Sequence, residues 1–576
     1  MKKVLFALCA AGMVAAGCDK DNIFGIDTDS NTTPEVPSGS TYTATEDPDD
    51  NISATSFSRT IIVTFSATGA SVEGDANGVV TIDGNKVTVN NTTTSEKVKY
   101  ILKGSTSDGY FKVYSNNKQA FVLDGVSITN PTGAAINNQC HKRTFVVVNG
   151  ANYLEDGTAY NTPADEDEKA AFFSEAQLIF SGTGTLEVSA KGKSGIASDD
   201  YIHVMDGPTL NVTSTAGHGI RGKDALTVDG GNIKVKVSAD MKKGMTSDSL
   251  VVFNGGKTII EVTGGTAYDD EDQEYKASAG IKADGNVVIN DGEITITNSG
   301  QGGKGISGDG NGYFQGGKLS VKVTGTNYGS SSSGGGPGGR PSATTTTDNT
   351  TNAKGIKLDC DIYINGGDIF VTAANHEAIE AKGLLYINGG TVYAQSKDDA
   401  INSAGDMVIN DGHVCAYSTG NDGLDANGNL FIEGGVVYAI GSGNPEVALD
   451  ANTEEQKKLY INGGVLFSIG GLERGSSLAQ SCYQATSWNK NTWYALTVGD
   501  ATYCFKTPSS GGSGLVVSGA SKLTLESGVT PSGGTEEFNG MAVFGGSASG
   551  GSSVSLTSYS SGSSMGGPGS GPGGWW

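Results

Sequence analysis

The chain has 576 residues, of which 88 are glycine and 13 proline, and only 36% are hydrophobic. Glycine is at roughly twice its ordinary usage, too rich for a helical protein, while proline is too sparse for collagen and no three-residue glycine period appears. The net charge of −24 repels phosphate backbones, which excludes nucleic acid as a partner and means that an acidic polysaccharide would need an intervening cation.

Residues 1–17 read as an export signal. Lys2 and Lys3 form a basic start, Val4 to Val14 an apolar stretch, and Ala15-Ala16-Gly17-Cys18 fits the lipobox of bacterial lipoproteins. Cys18 is then the lipidated first residue of an exported protein of the outer membrane or cell surface. No later run is apolar and long enough to span a bilayer, so membrane contact is expected through the lipid anchor only. Residues 18–56 are Asp/Thr/Ser-rich and read as a flexible tether.

From 57 the chain alternates with period two, with turn signals at Asp83-Gly84 and Asp124-Gly125, as strands with one buried face do. Between 178 and 470 one phrase recurs, clearest in Ile362-Tyr363-Ile364-Asn365-Gly366-Gly367, Leu385-Tyr386-Ile387-Asn388-Gly389-Gly390 and Leu459-Tyr460-Ile461-Asn462-Gly463-Gly464. The step is 22 to 25 residues, interrupted by insertions. Each unit holds two alternating strands around an Asn/Asp-Gly turn and a third short element. Leucine-rich repeats lack this pattern and a propeller blade is about 40 residues long. Three strands in so few residues predict a right-handed parallel β-helix over 57–470, all-β, with Ile356, Ile379, Ile401, Leu424 and Leu449 in one inward ladder. Residues 329–352 read as a flexible insertion, 471–530 as a β cap over the open end, and 531–576 as a disordered Gly/Ser-rich tail. The five cysteines after Cys18 are odd in number, so they form no disulfide framework. Cys482 and Cys504 are the best candidate pair, with buried free thiols the default.

Equivalent residues of adjacent coils stack about 4.8 Å apart. Two positions before the ladder aliphatic stand Glu377, Asp399 and Asp422; just after it stand Glu380, Asn402, Asp425 and Asp450, and Asp398 adds a further carboxylate. Such a stack is costly without a cation, and calcium takes six to eight hard oxygens in flexible geometry. These eight residues are the candidate Ca2+ ligands. The same corner position in earlier coils holds Ser194, His218, Lys243, Ala279, Lys304 and Lys354, so the acidity is local. The runs Asp165–Glu168 and Asp269–Asp272 lack EF-hand spacing and read as solvated loops.

Outward strand positions give two aromatic rows: Tyr363, Tyr386, Phe431 and Tyr460, broken by Val408, and Phe370, Tyr393, Tyr438 and Phe467, broken by Cys415. Exposed, they would offer flat faces for sugar rings; covered, they would only stabilise the sheet. Gly300 to Gly305 matches a nucleotide-binding glycine pattern but precedes a strand, which excludes that role. The histidines His141, His203, His218, His376 and His413 form no triad or zinc spacing.

Three phrases, Tyr153-Leu154-Glu155-Asp156-Gly157-Thr158, Phe173-Ser174-Glu175 and Gly219-Ile220-Arg221-Gly222-Lys223-Asp224, together with the repeated coil, resemble the parallel-β-helix carbohydrate-binding proteins of bacterial surfaces, similar in fold to calcium-dependent pectate lyases. The resemblance covers 59–470. It implies binding of plant cell-wall polysaccharide, such as polygalacturonate or cellulose, with bound calcium. The acidic turn of that family is kept at Glu377, Asp399 and Asp422 and lost at Ser194, His218 and Lys243. The expected function is non-catalytic, calcium-loaded polysaccharide binding. The alternatives are a calcium-dependent lyase, with Lys382 the nearest base, and a surface adhesin.

Overall fold

The computed structural model describes residues 37, 39–43, 47–329 and 350–562. The signal segment with Cys18, most of the 329–352 insertion and the last residues of the tail lie outside these. The fold is an all-β parallel solenoid, and the described residues contain no α-helix beyond four 3₁₀ turns. Each coil has three faces. In one coil the first face is Ile379–Ala381, the second Leu385–Ile387 and the third Thr391–Ser396; the next repeats them at Ile401–Ser403, Met407–Ile409 and His413–Ser418. The first faces form a 15-stranded sheet. The other two join in one continuous sheet through the long strand Gln119–Thr129, which pairs with both Thr144–Asn149 and Ala151–Glu155.

The expected ladder is in register: Ile356 pairs with Ile379, Ile379 with Ile401, Ile401 with Leu424 and Leu424 with Leu449. All five are buried in one core with their second- and third-face counterparts. Burying each such side chain contributes about 1.5–3 kcal/mol.

The turn after the second face explains the asparagine and glycine of the repeated phrase. All ten turn glycines from Gly207 to Gly464 have φ between 72° and 114°, where a Cβ is strained. At Gly390 a Cβ would also lie 2.6 Å from the Gly367 carbonyl oxygen of the coil below. The asparagines bond to their own equivalents. Asn410 donates to Asn388 at 2.8 Å, Asn388 to Asn365 at 2.7 Å, and Asn290 to Asn254 at 2.7 Å. Such a ladder satisfies amides that the turn half buries.

Antiparallel pairings close both ends. At the start, Arg59–Phe65 pairs with Ser71–Glu73, and Val80–Asp83 forms a hairpin with Lys86–Asn91. At the finish, Leu515–Ser518 runs antiparallel to the last third-face strand, Val465–Ile469.

Three expectations change. First, the end of the tether is clamped to the coils rather than free. Arg143 reaches Asp47 at 2.6 Å and Asp50 at 2.8 Å, Lys118 reaches Asp49 at 2.8 Å, and His203 lies between Asp50 at 2.7 Å and Asp229 at 2.6 Å. Second, residues 530–558 carry strands instead of beginning a disordered tail; Ala542–Phe544 joins a six-stranded cap sheet. Phe538, Ala542 and Phe544 are buried in it, which a polar average composition conceals. Third, the candidate pairing of Cys482 and Cys504 falls and the default of buried free thiols holds, since both are free and buried in separate clusters.

Two outcomes follow from these contacts. Gly390→Ala should cost about 1–3 kcal/mol through forced strain, read as a lower midpoint in denaturant. A smaller loss at Gly390 than for Ala at an exposed strand position would contradict the stacked-turn account. His203 gives a pH effect. Burial alone would weaken its proton, but the hydrogen bonds and charges of Asp229 and Asp50 prevail and raise its pKa from 6.5 to about 9. A raised pKa means that the clamp's contribution is full below about pH 6.5 and is lost as pH rises through about 9. The imidazole resonances of His203 should titrate near 9, and His203→Gln should remove the matching fall in thermal stability between pH 7 and 10.

Candidate functional site: the acidic corner of the first face

The corner where the third face turns into the first, and the outward column beside it, bring the predicted acids together. Parallel pairing aligns Lys357, Glu380, Asn402, Asp425 and Asp450 on successive coils. Glu377, Glu380, Asp399, Asn402 and Asp422 are buried, and Asp398, Asp425 and Asp450 are half-buried. All eight sequence candidates therefore share one region.

The region divides into two halves of different electrostatics. In the first, cations meet the acids. Lys354 lies 3.1 Å from Glu377 and 2.5 Å from Glu380, Lys382 pairs with the other oxygen of Glu380, and His376 contacts Glu377 and lies 3.1 Å from Asp398. Burial would raise the Glu377 pKa, but the His376 hydrogen bond and the Lys354 charge outweigh it and hold it at about 2. Lys354 and His376 were not among the sequence candidates. The repeat register does place Lys354 at the same corner position as Glu377 one coil earlier, but not its reach to Glu377 and Glu380.

In the second half no cation is present. Among the described residues no ion pair reaches Asp399, Asp422, Asp425 or Asp450. Their partners are polar: Asp422 N–H donates to Asp399 at 3.1 Å, Val447 N–H to Asp422 at 2.5 Å, and Asn402 Nδ2 to Asp425 at 2.6 Å. Burial, then the neighbouring Asp425 and Asp398, push the Asp399 carboxyl strongly up. Burial and the acid of Glu473 do the same to Asp450. Asp425 is raised chiefly by burial, and Asp422 is raised to about 7 by burial with Glu446 and Asp425 adding to it. Two carboxylates one coil apart repel by roughly 3 kcal/mol at an effective dielectric near 20. Four carboxyls and the Asn402 amide oxygen are hard-oxygen donors of the kind calcium takes, but no three of these carboxylates converge within 4.8 Å; the three groups that do so at this corner are His376, Glu377 and Asp398.

The aromatic rows do not offer sugar platforms. Tyr363, Tyr386, Phe431 and Tyr460 are buried together with Tyr313. Tyr42 lies against Tyr313 with ring centroids 5.7 Å apart, and Asn365 donates to the Ser40 carbonyl at 2.8 Å. In the second row Tyr393, Tyr438 and Phe467 are buried under the cap, where Tyr438 donates to the Lys506 carbonyl at 2.9 Å. Only Phe370 of the eight rings stays half-buried. The segments that cover the rows are non-repetitive, so the coil pattern gives no sign of them.

The two acidic loops differ. Asp269 and Asp272 sit on an exposed hairpin and pair with Lys276, as expected. The 165–168 run is not simply solvated. Glu166 pairs with Lys112 at 2.8 Å, and buried Glu168 accepts from Ala134 N–H at 3.0 Å and Thr162 at 2.8 Å. Asp167, Glu175 and Asp199 converge nearby, with Lys169 between Asp167 and Asp199.

A family profile described as carbohydrate-binding domain-containing protein matches residues 83–400, more than half of the chain. The chain belongs to this carbohydrate-binding domain family. A curated relative of the same description from Acetivibrio thermocellus is 28% identical over 159 residues, which are 25% of this chain and 54% of the relative. The chain thus spans about half the length of the curated relative it matches. A solved structure, described as a polysaccharide lyase-like protein from C. thermocellum in a gadolinium derivative, aligns at 19% identity with a TM-score of 0.31, over 46% of this chain and 95% of that one. The matched family span ends at 400, so Asp422, Asp425 and Asp450 of this family member lie beyond it.

The Asp422 carboxyl sets a pH test. An acid whose folded pKa is raised holds its proton longer in the folded than in the unfolded state, so stability falls as pH climbs from about 4 through about 7. In chelator the melting temperature should drop across that range, and Asp422→Asn should flatten the drop. An equal slope in the variant would show that Asp422 is not the group that titrates.

Proposed function

We propose that this chain is a non-catalytic, calcium-loaded polysaccharide-binding lipoprotein of the bacterial cell surface, acting on plant cell-wall polymers such as polygalacturonate or cellulose. One observation carries the calcium part of the reading: two stacked pairs of aspartates, Asp399 with Asp422 and Asp425 with Asp450, that have no cation partner among the described residues, beside Glu377, Glu380 and Asp398, which do have one. When bound, calcium would reverse the local sign and supply coordination sites for carboxylate oxygens of an acidic glycan. The residues that would hold it are Asp399, Asp422, Asp425, Asp450 and Asn402. Glu377 and Glu380 are already answered by Lys354, His376 and Lys382. The lipobox at Cys18 supports export and anchoring by lipid.

The lyase alternative needs a base beside the acids, and Lys382 does not supply one. Although burial opposes it, the Glu380 hydrogen bond and charge raise the Lys382 pKa above its ordinary value. An ammonium held this firmly cannot take a proton near neutral pH. The adhesin alternative loses its main support with the burial of both aromatic rows.

Calcium titrated into metal-free protein should raise the melting temperature, because a ligand specific to the folded state stabilises it by mass action. The response should vanish in Asp399→Asn/Asp425→Asn, and calcium-dependent retention on polygalacturonate should vanish with it. An unchanged melting curve after verified metal removal would overturn the calcium reading.

A further inference from the structure

Near the acidic corner, on the third face, a groove of about 280 Å³ is lined by Lys322, Thr372, Ala374, Gln395, Lys397 and Thr419. It lies at the small end of ligand sites. Its origin is in the strand register. Lys322 pairs with Thr372, Thr372 with Gln395, and Gln395 with Tyr417. Short side chains at 372 and 374 sit between longer ones on the flanking coils and leave a depression. From Lys322 to Thr419 it crosses four coils, roughly 14 Å.

Thr419 donates to the Ser396 carbonyl at 3.1 Å, whereas the two exposed lysines of the lining have no protein acceptor among the described residues. In this same column Lys236 pairs with Glu261 on the next coil at 2.7 Å. Lys322 instead meets Thr372, and among the described residues no carboxylate pairs with Lys322 or Lys397. Two unanswered ammonium groups in a chain of charge −24 mark a place where negative charge from outside is favoured. Gln395 accepts from Tyr393 OH at 2.8 Å, which fixes its amide and leaves Nε2 to donate.

We infer that this groove is a subsite for a carboxylate-bearing sugar residue, with Lys322 and Lys397 on the carboxylate and Gln395 and the Thr372 hydroxyl on the ring hydroxyls. It deepens the reading of the chain as a polysaccharide binder and does not need calcium. Lys397 is two residues before Asp399, so a single acidic glycan passing the corner would meet both surfaces.

The test is calorimetric titration of the full mature chain with trigalacturonate and with cellotriose, in chelator and in calcium. In chelator the parent should bind trigalacturonate with an affinity that falls with salt. Lys322→Gln/Lys397→Gln should weaken this at least about tenfold, since two charge-assisted contacts are lost. Thr372→Trp, which fills the groove from an outward position, should do the same, and cellotriose binding should not follow the lysines. The Asp399→Asn/Asp425→Asn variant should keep the chelator binding while losing the calcium response, so failure of the acidic corner is read separately. Parent-like trigalacturonate binding in both groove variants, or no trigalacturonate binding by the parent in chelator, would overturn the subsite.

Discussion

Parallel strands stacked in register about 4.8 Å apart impose one rule on this molecule: every side chain must tolerate its own equivalents directly above and below it. Isoleucine and leucine tolerate them by excluding water together, as in the ladder through Ile356 and Ile401. Asparagine does so because its amide both donates and accepts, so Asn365, Asn388 and Asn410 satisfy one another. Glycine does so at the turns by leaving room for the carbonyl below. Charged groups are the exception, since a charge cannot pair with its own kind.

The outward column of the first face shows how the chain handles that exception. From one coil to the next it reads Arg221, Thr246, Lys282, Ser307, Lys357, Glu380, Asn402, Asp425 and Asp450. Neutral residues separate the cations, Lys357 meets an acid, and Asn402 separates Glu380 from Asp425. In this column only Asp425 and Asp450 break the alternation; at the corner like charges stack more than once, Lys354 on Lys304 as well as Asp422 on Asp399. A departure from a rule kept over so many coils is where function is expected to override stability.

The parts of the structure that repeat were legible in the sequence, and the parts that do not repeat were hidden. The coil length, the inward ladder, the turn glycines and the register of the acids follow from a step of 22 to 25 residues and alternating strands. The fate of the aromatic rows does not. Tyr438 and Phe467 look like Tyr363 in sequence, yet their exposure is decided by the cap, which meets them through residues such as Phe505 and Phe544 far along the chain. His203 shows the same limit. Its partners Asp50 and Asp229 lie 153 and 26 residues away, and only the second distance is close to a coil step. The charge balance at the acidic corner was half legible: the acids stand out by type, whereas Lys354 emerges only when the same register is read for cations.

The antiparallel strands at the two ends have a consequence for assembly. A solenoid that stopped at an open coil would present unpaired N–H and C=O groups in the orientation that another solenoid's first coil could continue, a template for end-to-end fibres. Here Leu515–Ser518 occupies the third-face edge of the last coil in the opposite direction, and Ser71–Glu73 does so beside the opening strand. A second molecule arriving head to tail finds strand polarity reversed at both junctions. The repeat that extends so readily within one chain is thereby hindered at these edges from extending between chains, which leaves the long faces, rather than the ends, for contact.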